Sequence, residues 1–346
     1  MISEQTRAAL NVNYPWLEAP LAAALTPNRN LAHAYLIHGA AGIGIEALAG
    51  AWARALLCET PAPGGHACGA CASCLLNAVG NHPDLTLLTL EEEEETDAKA
   101  AKVATEIKID QVRTLVAGVN LATTRAGRRA VVVWPAEALN LPAANALLKT
   151  LEEPPEGTIF LLVTTQLARL LPTIRSRCRL LPVATPDAQA AQAWLKAQGV
   201  ADAARWLACA HGAPLAAAQL GQEFEALNIA AKAAAWASPN DPAYWASAAG
   251  LKRPDLKAWL AWYYRWAADI ARLATGQKAQ IFAGIDAKTD KTVNHFANKI
   301  APTAWLRYLN QVERALASAD HPLAPALVAQ GLLAQAAQLY LSQEAA

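Results

Sequence analysis

The clearest chemistry in the chain lies in Cys58-x9-Cys68-x2-Cys71-x2-Cys74, where Gly64, Gly65 and Gly69 free the backbone to turn four thiolates towards one point. Zinc accepts four sulfurs tetrahedrally at about 2.3 Å, and the two C-x2-C steps fit the bite of a zinc knuckle. A shell of four thiolates is closed, so the predicted role of Zn2+ is structural. The alternative is an iron–sulfur cluster or a redox pair, although no thioredoxin-like context surrounds the cysteines. His66 and His82 are substitute ligands should Cys58 turn into a helix core. Cys178 and Cys209 stand apart and read as ordinary buried thiols.

A second grouping, Gly39-Ala40-Ala41-Gly42-Ile43-Gly44-Ile45-Glu46, follows an apolar run and opens a helical pattern through Leu57. Strand, glycine loop and helix are the setting in which backbone N–H groups and a helix N-terminus cradle phosphate. A working loop reads G-x-x-x-x-G-K-[ST], with lysine on the β/γ oxygens and the hydroxyl on Mg2+. Gly39 and Gly44 keep that spacing, but Ile45 replaces the lysine and Glu46 the hydroxyl residue. A carboxylate beside a triphosphate repels where attraction is required, so no productive ATP binding is expected. The plainer alternative is a tight turn whose glycines permit φ > 0 or close packing. The run Ala130 to Trp134 points the same way. A P-loop ATPase ends that strand in adjacent acids, whereas this one reads Val133-Trp134-Pro135-Ala136, and Glu137 comes too late in the register.

Arg175-Ser176-Arg177-Cys178-Arg179 precedes the last apolar run. An unpaired arginine at the rim of a domain that cannot hydrolyse ATP could reach a neighbouring subunit's γ-phosphate, where such a finger is worth about 10³ to 10⁵ in rate. Residue type alone favours a surface arginine with a salt-bridge partner. The acidic block Glu91 to Glu95 and the mixed stretch to Lys102 read as a solvated loop, with metal binding the lesser alternative.

Five short β-type runs must position these groups: Ala34 to His38, Leu85 to Leu90, Ala130 to Trp134, Thr158 to Val163 and Cys178 to Val183. Helical patterns fall between several of them, the order of a parallel α/β sheet. In one, Asn140 is placed to cap, Pro142 sits in the first turn, and Ala144, Leu147, Leu148 and Leu151 form a stripe before Pro154-Pro155. Another starts near Asp110 and carries Val112, Leu115, Val116 and Val119. After Thr185-Pro186-Asp187 the pattern is alanine-rich and all-α, and the tryptophans there read as core or interface rather than as a platform for bases. The fold class is therefore α/β plus all-α.

With 346 residues, two or three domains are expected. Apolar residues make up 54%, which argues against disorder, and Lys plus Arg balances Asp plus Glu at 29 each, which removes any global pull towards nucleic acid or anionic membrane. No uncharged apolar stretch reaches the length of a membrane span, and Met1 to Leu10, carrying Glu4 and Arg7, lacks a basic region followed by an apolar run. A cytoplasmic location is expected, where six cysteines fit metal better than disulfides.

Four features together carry a family resemblance: the cysteine insertion after the first glycine-loop helix, His82-Pro83-Asp84, the segment Ala144-Asn145-Ala146-Leu147-Leu148-Lys149-Thr150-Leu151-Glu152-Glu153-Pro154-Pro155, and Ser176-Arg177-Cys178. With a spoiled P-loop beside them, the chain resembles the delta-prime family of bacterial DNA polymerase III clamp-loader subunits, within the AAA+ superfamily, over its whole length. The resemblance implies an AAA+ α/β domain with a zinc-binding insertion (1–184), a small helical lid domain (185–220) and a helical collar domain for oligomerisation (221–346). It implies a heteropentamer with delta and three gamma/tau subunits that loads the sliding clamp onto primed DNA. In that ring the chain would be a non-hydrolysing stator within the polymerase holoenzyme, with no membrane partner. Arg177 would then project into the adjacent gamma/tau ATP site, and Cys58, Cys68, Cys71 and Cys74 would be the zinc ligands. Active relatives carry a γ-phosphate-touching arginine where Gly212-Ala213-Pro214-Leu215 places Leu215. Two other readings compete: an autonomous AAA+ ATPase with an atypical site, and a zinc-dependent nucleic-acid-binding module acting through Arg125, Arg128 and Arg129.

Overall fold

The computed structural model describes residues 13–26, 31–93, 102–125, 127–282, 285, 287–319 and 324–342. All five apolar runs become strands: β1 Ala34–Gly39, β2 Leu85–Leu88, β5 Arg129–Val133, β6 Thr158–Thr164 and β7 Arg179–Val183. They form one sheet in the order β2-β5-β6-β1-β7, parallel at every pairing. The inner strands β5 and β6 are buried along their whole length, which is why they read as unbroken apolar runs rather than alternating ones.

Helices between strands cover the sheet. Val112, Leu115 and Val119 of the helix Ile109–Val119 and Ala143, Leu147 and Leu151 of the helix Leu141–Glu152 pack on Leu36, Val131, Val133, Phe160 and Leu162. Asn140 caps the second of these, its Oδ1 accepting the Ala143 N–H at 3.0 Å, with a proline in the first turn. The acidic run departs from the loop reading. Glu92–Glu93 (β3) and Lys102–Val103 (β4) form an antiparallel two-residue ladder, too short to print a period of two in the sequence; residues 94–101 lie outside the described ones.

The described residues divide into two compact units: one runs to Trp194 and includes Gly212–Ala216, and the other comprises Leu195–His211 and the chain from Ala217 onwards. In the first, Asp187 starts the helix Ala188–Ala197 by accepting the Gln189 and Ala190 N–H groups. The second is helical, and its centre is aromatic. Trp236, Trp262, Trp266 and Trp305 are fully buried, Tyr263 and Tyr308 share a 2.8 Å hydrogen bond, and Tyr308 donates to the Leu332 carbonyl. These rings are core, as expected, while Trp245 is exposed. Among the described residues, no helix is long and apolar enough to cross a membrane.

Candidate functional site

The helix Ile45–Leu56 delivers Cys58, a glycine-containing loop brings round Cys68, and Cys71 caps the helix Ala72–Ala78 that carries Cys74. The four Sγ atoms lie within 4.8 Å of one another, with separations of 3.9 Å (Cys58–Cys71), 3.9 Å (Cys68–Cys74) and 3.7 Å (Cys58–Cys74). A tetrahedron of sulfurs about 2.3 Å from zinc has edges of about 3.8 Å. Backbone N–H groups aim at the sulfurs: Cys68 donates to Cys58, Ala70 and Cys71 to Cys68, and Cys74 to Cys71, all at 3.3 to 3.4 Å. The Thr60 hydroxyl and the Ala70 and Cys71 amides bring the Cys68 thiol down to about 6, whereas burial pushes the Cys74 thiol up to about 12. One sulfur is prepared as a thiolate and another is buried where a thiolate needs a cation. The cluster is consistent with a structural metal site. His66 instead lies 3.4 Å from Glu18, and His82 Nδ1 accepts the Asp84 N–H; neither histidine joins the sulfurs.

The glycine loop follows β1, and Gly44, at φ 81°, precedes the helix Ile45–Leu56. Gly42 and Gly44 are both pressed by the chain itself. A Cβ on Gly44 would lie 2.7 Å from Tyr14 Cδ2, and one on Gly42 would lie 2.7 Å from Ala216 Cβ. Trp16 Nε1 donates to the Ile43 carbonyl at 2.8 Å, and the Leu215 N–H donates to the Gly42 carbonyl at 2.9 Å. Tyr14 stacks on Trp16, and Trp194 meets both rings edge-on. Leu17, Leu21 and Ala24 bury the adjoining segment. Ile43 and Ile45 are buried, and burial lifts the Glu46 carboxyl above its ordinary range. Sequence reasoning missed Tyr14, Trp16 and Trp194; the run Tyr14-Pro15-Trp16-Leu17 was the available signal. Glu137 serves structure, its Oε1 accepting the Thr165 N–H and hydroxyl.

Arg177 lies between the short helix Pro172–Arg175 and β7. Its Nε and Nη2 both contact Glu152 Oε1, the Nε contact at 2.7 Å, and its Nη1 donates to the Thr173 carbonyl at 2.8 Å and to Ser176 Oγ at 3.3 Å. The three arginines of the nucleic-acid reading have separate placements. Arg125 pairs with Glu59 at 2.9 Å, which also holds Ser73 beside the cysteines; Arg128 is exposed. Arg129 is 5% exposed, donates to the Val119, Leu121 and Ala122 carbonyls, and lies 3.7 Å from the fully buried Asp84. Asp84 also accepts the Thr124 and Arg125 N–H groups, which gives His82-Pro83-Asp84 a structural purpose that its spacing did not reveal.

A family model described as "DNA polymerase III, delta subunit" matches residues 19–187. The chain is 45% identical over 212 residues to DNA polymerase III subunit delta' of Pseudomonas aeruginosa, covering 60% of this chain and 61% of that protein. It thus spans about three fifths of that relative's length. Against DNA polymerase III subunit delta' of Escherichia coli K12 it is 37% identical over 258 residues, covering 72% and 73% of the two chains. Among solved structures, a DNA polymerase III gamma subunit-related protein from Thermotoga maritima aligns over 94% of this chain and 99% of its own, at 17% identity and a TM-score of 0.44. With 37% identity over an alignment that covers 73% of the Escherichia coli protein, the chain belongs to the delta' family of DNA polymerase III subunits.

Proposed function

We propose that the chain is a non-hydrolysing clamp-loader subunit that assembles with delta and gamma/tau and supplies Arg177 to the ATP site of an adjacent gamma/tau subunit. The ring so formed loads the sliding clamp onto primed DNA in the cytoplasm. One observation carries the reading: Tyr14 and Ala216 pack directly against Gly44 and Gly42, the Leu215 N–H holds the Gly42 carbonyl, and the half-buried Glu46 stands where a magnesium-holding hydroxyl would be. A loop without a lysine and with a carboxylate beside it disfavours the productive binding of a triphosphate. Its fixed contacts suit a subunit that holds position while neighbours cycle. Arg177 then acts in trans, since a guanidinium stabilises the charge spread over a transferring phosphoryl group.

In this reading residues 1–184 form the AAA+ domain, 185–220 the lid and 221–346 the collar through which the ring closes. Cys58, Cys68, Cys71 and Cys74 hold one zinc ion, which braces the insertion and takes no part in the reaction. Incubation of the purified chain with radiolabelled Mg-ATP, with the release of phosphate followed, tests the carrying observation. No Mg-dependent turnover of the nucleotide is expected; turnover that survives further purification and disappears on altering the Gly39 to Glu46 loop would overturn the reading.

A further inference from the structure

We infer that Glu152 is a latch for Arg177: it holds the guanidinium retracted within its own chain, and a phosphate must displace it before the arginine can act in trans. The inference rests on the proposed role of Arg177 and adds a positioning residue to it. A guanidinium has five N–H donors. Nε and one Nη2 hydrogen face Glu152, and Nη1 is turned to the Thr173 carbonyl and the Ser176 hydroxyl. These contacts engage four donors and leave one. Bidentate recognition of a phosphate needs two parallel donors, so the Nε/Nη2 edge is free for a phosphate only once Glu152 lets go.

The placement suits exchange. Glu152 is the last residue of the helix Leu141–Glu152, with its side chain 48% exposed against 31% for Arg177. An open pair of this kind shifts an equilibrium by only about two- to fivefold, enough to keep the arginine home and little enough for a phosphate to overcome.

The test uses loaders reconstituted from gamma/tau, delta and this chain, carrying Glu152→Gln, Arg177→Ala or Glu153→Gln, the last removing a neighbouring charge that does not touch Arg177. ATP turnover is measured with and without clamp and primed DNA. Glu152→Gln is expected to raise the unstimulated rate about two- to fivefold and to leave the stimulated maximum within twofold of wild type, because there the arginine is already released. Glu153→Gln leaves both rates unchanged. In parallel, the ¹⁵N-arginine side-chain spectrum of the isolated full chain reports the pair without any partner. The Nε–H signal lost in Arg177→Ala should shift and exchange faster with water in Glu152→Gln. An unchanged or lowered unstimulated rate, or an unmoved Nε–H signal, overturns the latch. A wild-type rate in the Arg177→Ala ring instead overturns the role of Arg177 itself, and the spectrum then tells the two failures apart.

Discussion

Arg129→Ala is expected to unfold the first unit easily without being a DNA-binding mutation. Arg129 is buried, gives hydrogen bonds to the carbonyls of Val119, Leu121 and Ala122, and neutralises Asp84, which is wholly enclosed. Removing it strands that carboxylate. Breaking a buried pair from one side costs about 3 to 5 kcal/mol, and lost hydrogen bonds to a charged group cost about 1.5 to 3 kcal/mol each, not additively. Asp84 keeps its bonds from the Thr124 and Arg125 amides, which places the expected loss near the lower end, about 3 kcal/mol. With a urea slope of about 2 to 3 kcal/mol/M, the first transition should fall by about 1 to 1.5 M. Arg128→Ala, on the exposed neighbour, should stay within about 0.5 kcal/mol of wild type. The double variant Asp84→Leu/Arg129→Met should recover much of the loss, since the stranded charge and its partner leave together. Equal stability of the Arg129→Ala and Arg128→Ala proteins would refute the assignment of Arg129 to the interior.

Two further outcomes follow from the same geometry. Burial raises the Glu46 carboxyl, so its contribution to stability is full below the ordinary carboxyl range of about 4.3 and is lost as pH rises through the raised folded value. Glu46→Gln should therefore be more stable than wild type at neutral pH, with the gap closing near pH 4; parallel stability–pH curves would contradict this. Elemental analysis should find about one zinc per chain, and Cys74→Ser or chelation should remove it and lower the melting temperature of the first unit. A metal-free preparation melting at the wild-type temperature would reduce the cluster to packing.

The sheet was legible because β5 and β6 are buried on both faces and so print continuous apolar runs, and because Asn140 and Pro154-Pro155 mark both limits of one covering helix. The cysteine cluster was legible because its spacing is local. Contacts between segments far apart in the chain left no such mark. The run Tyr14-Pro15-Trp16 marks an aromatic cluster but not its target: that Tyr14 closes on Gly44 and Trp16 on the Ile43 carbonyl follows only once the helix Glu18–Leu25 is anchored by Leu21 and Ala24. Arg129 looked like its neighbours Arg125 and Arg128, and only the carbonyls at the end of the helix Ile109–Val119 set it apart. Arg177 shows both sides of this. Its motif pointed outward to a partner, while the partner it meets in its own chain, Glu152, lies 25 positions away.

The most direct measurement is single-turnover ATP hydrolysis by a reconstituted loader in which this chain alone carries Arg177→Ala. With ring assembly checked by mass, the adjacent gamma/tau site should bind ATP with near wild-type affinity yet hydrolyse it at least about 10³-fold more slowly. An assembled ring whose sites all turn over at the wild-type rate would contradict the account.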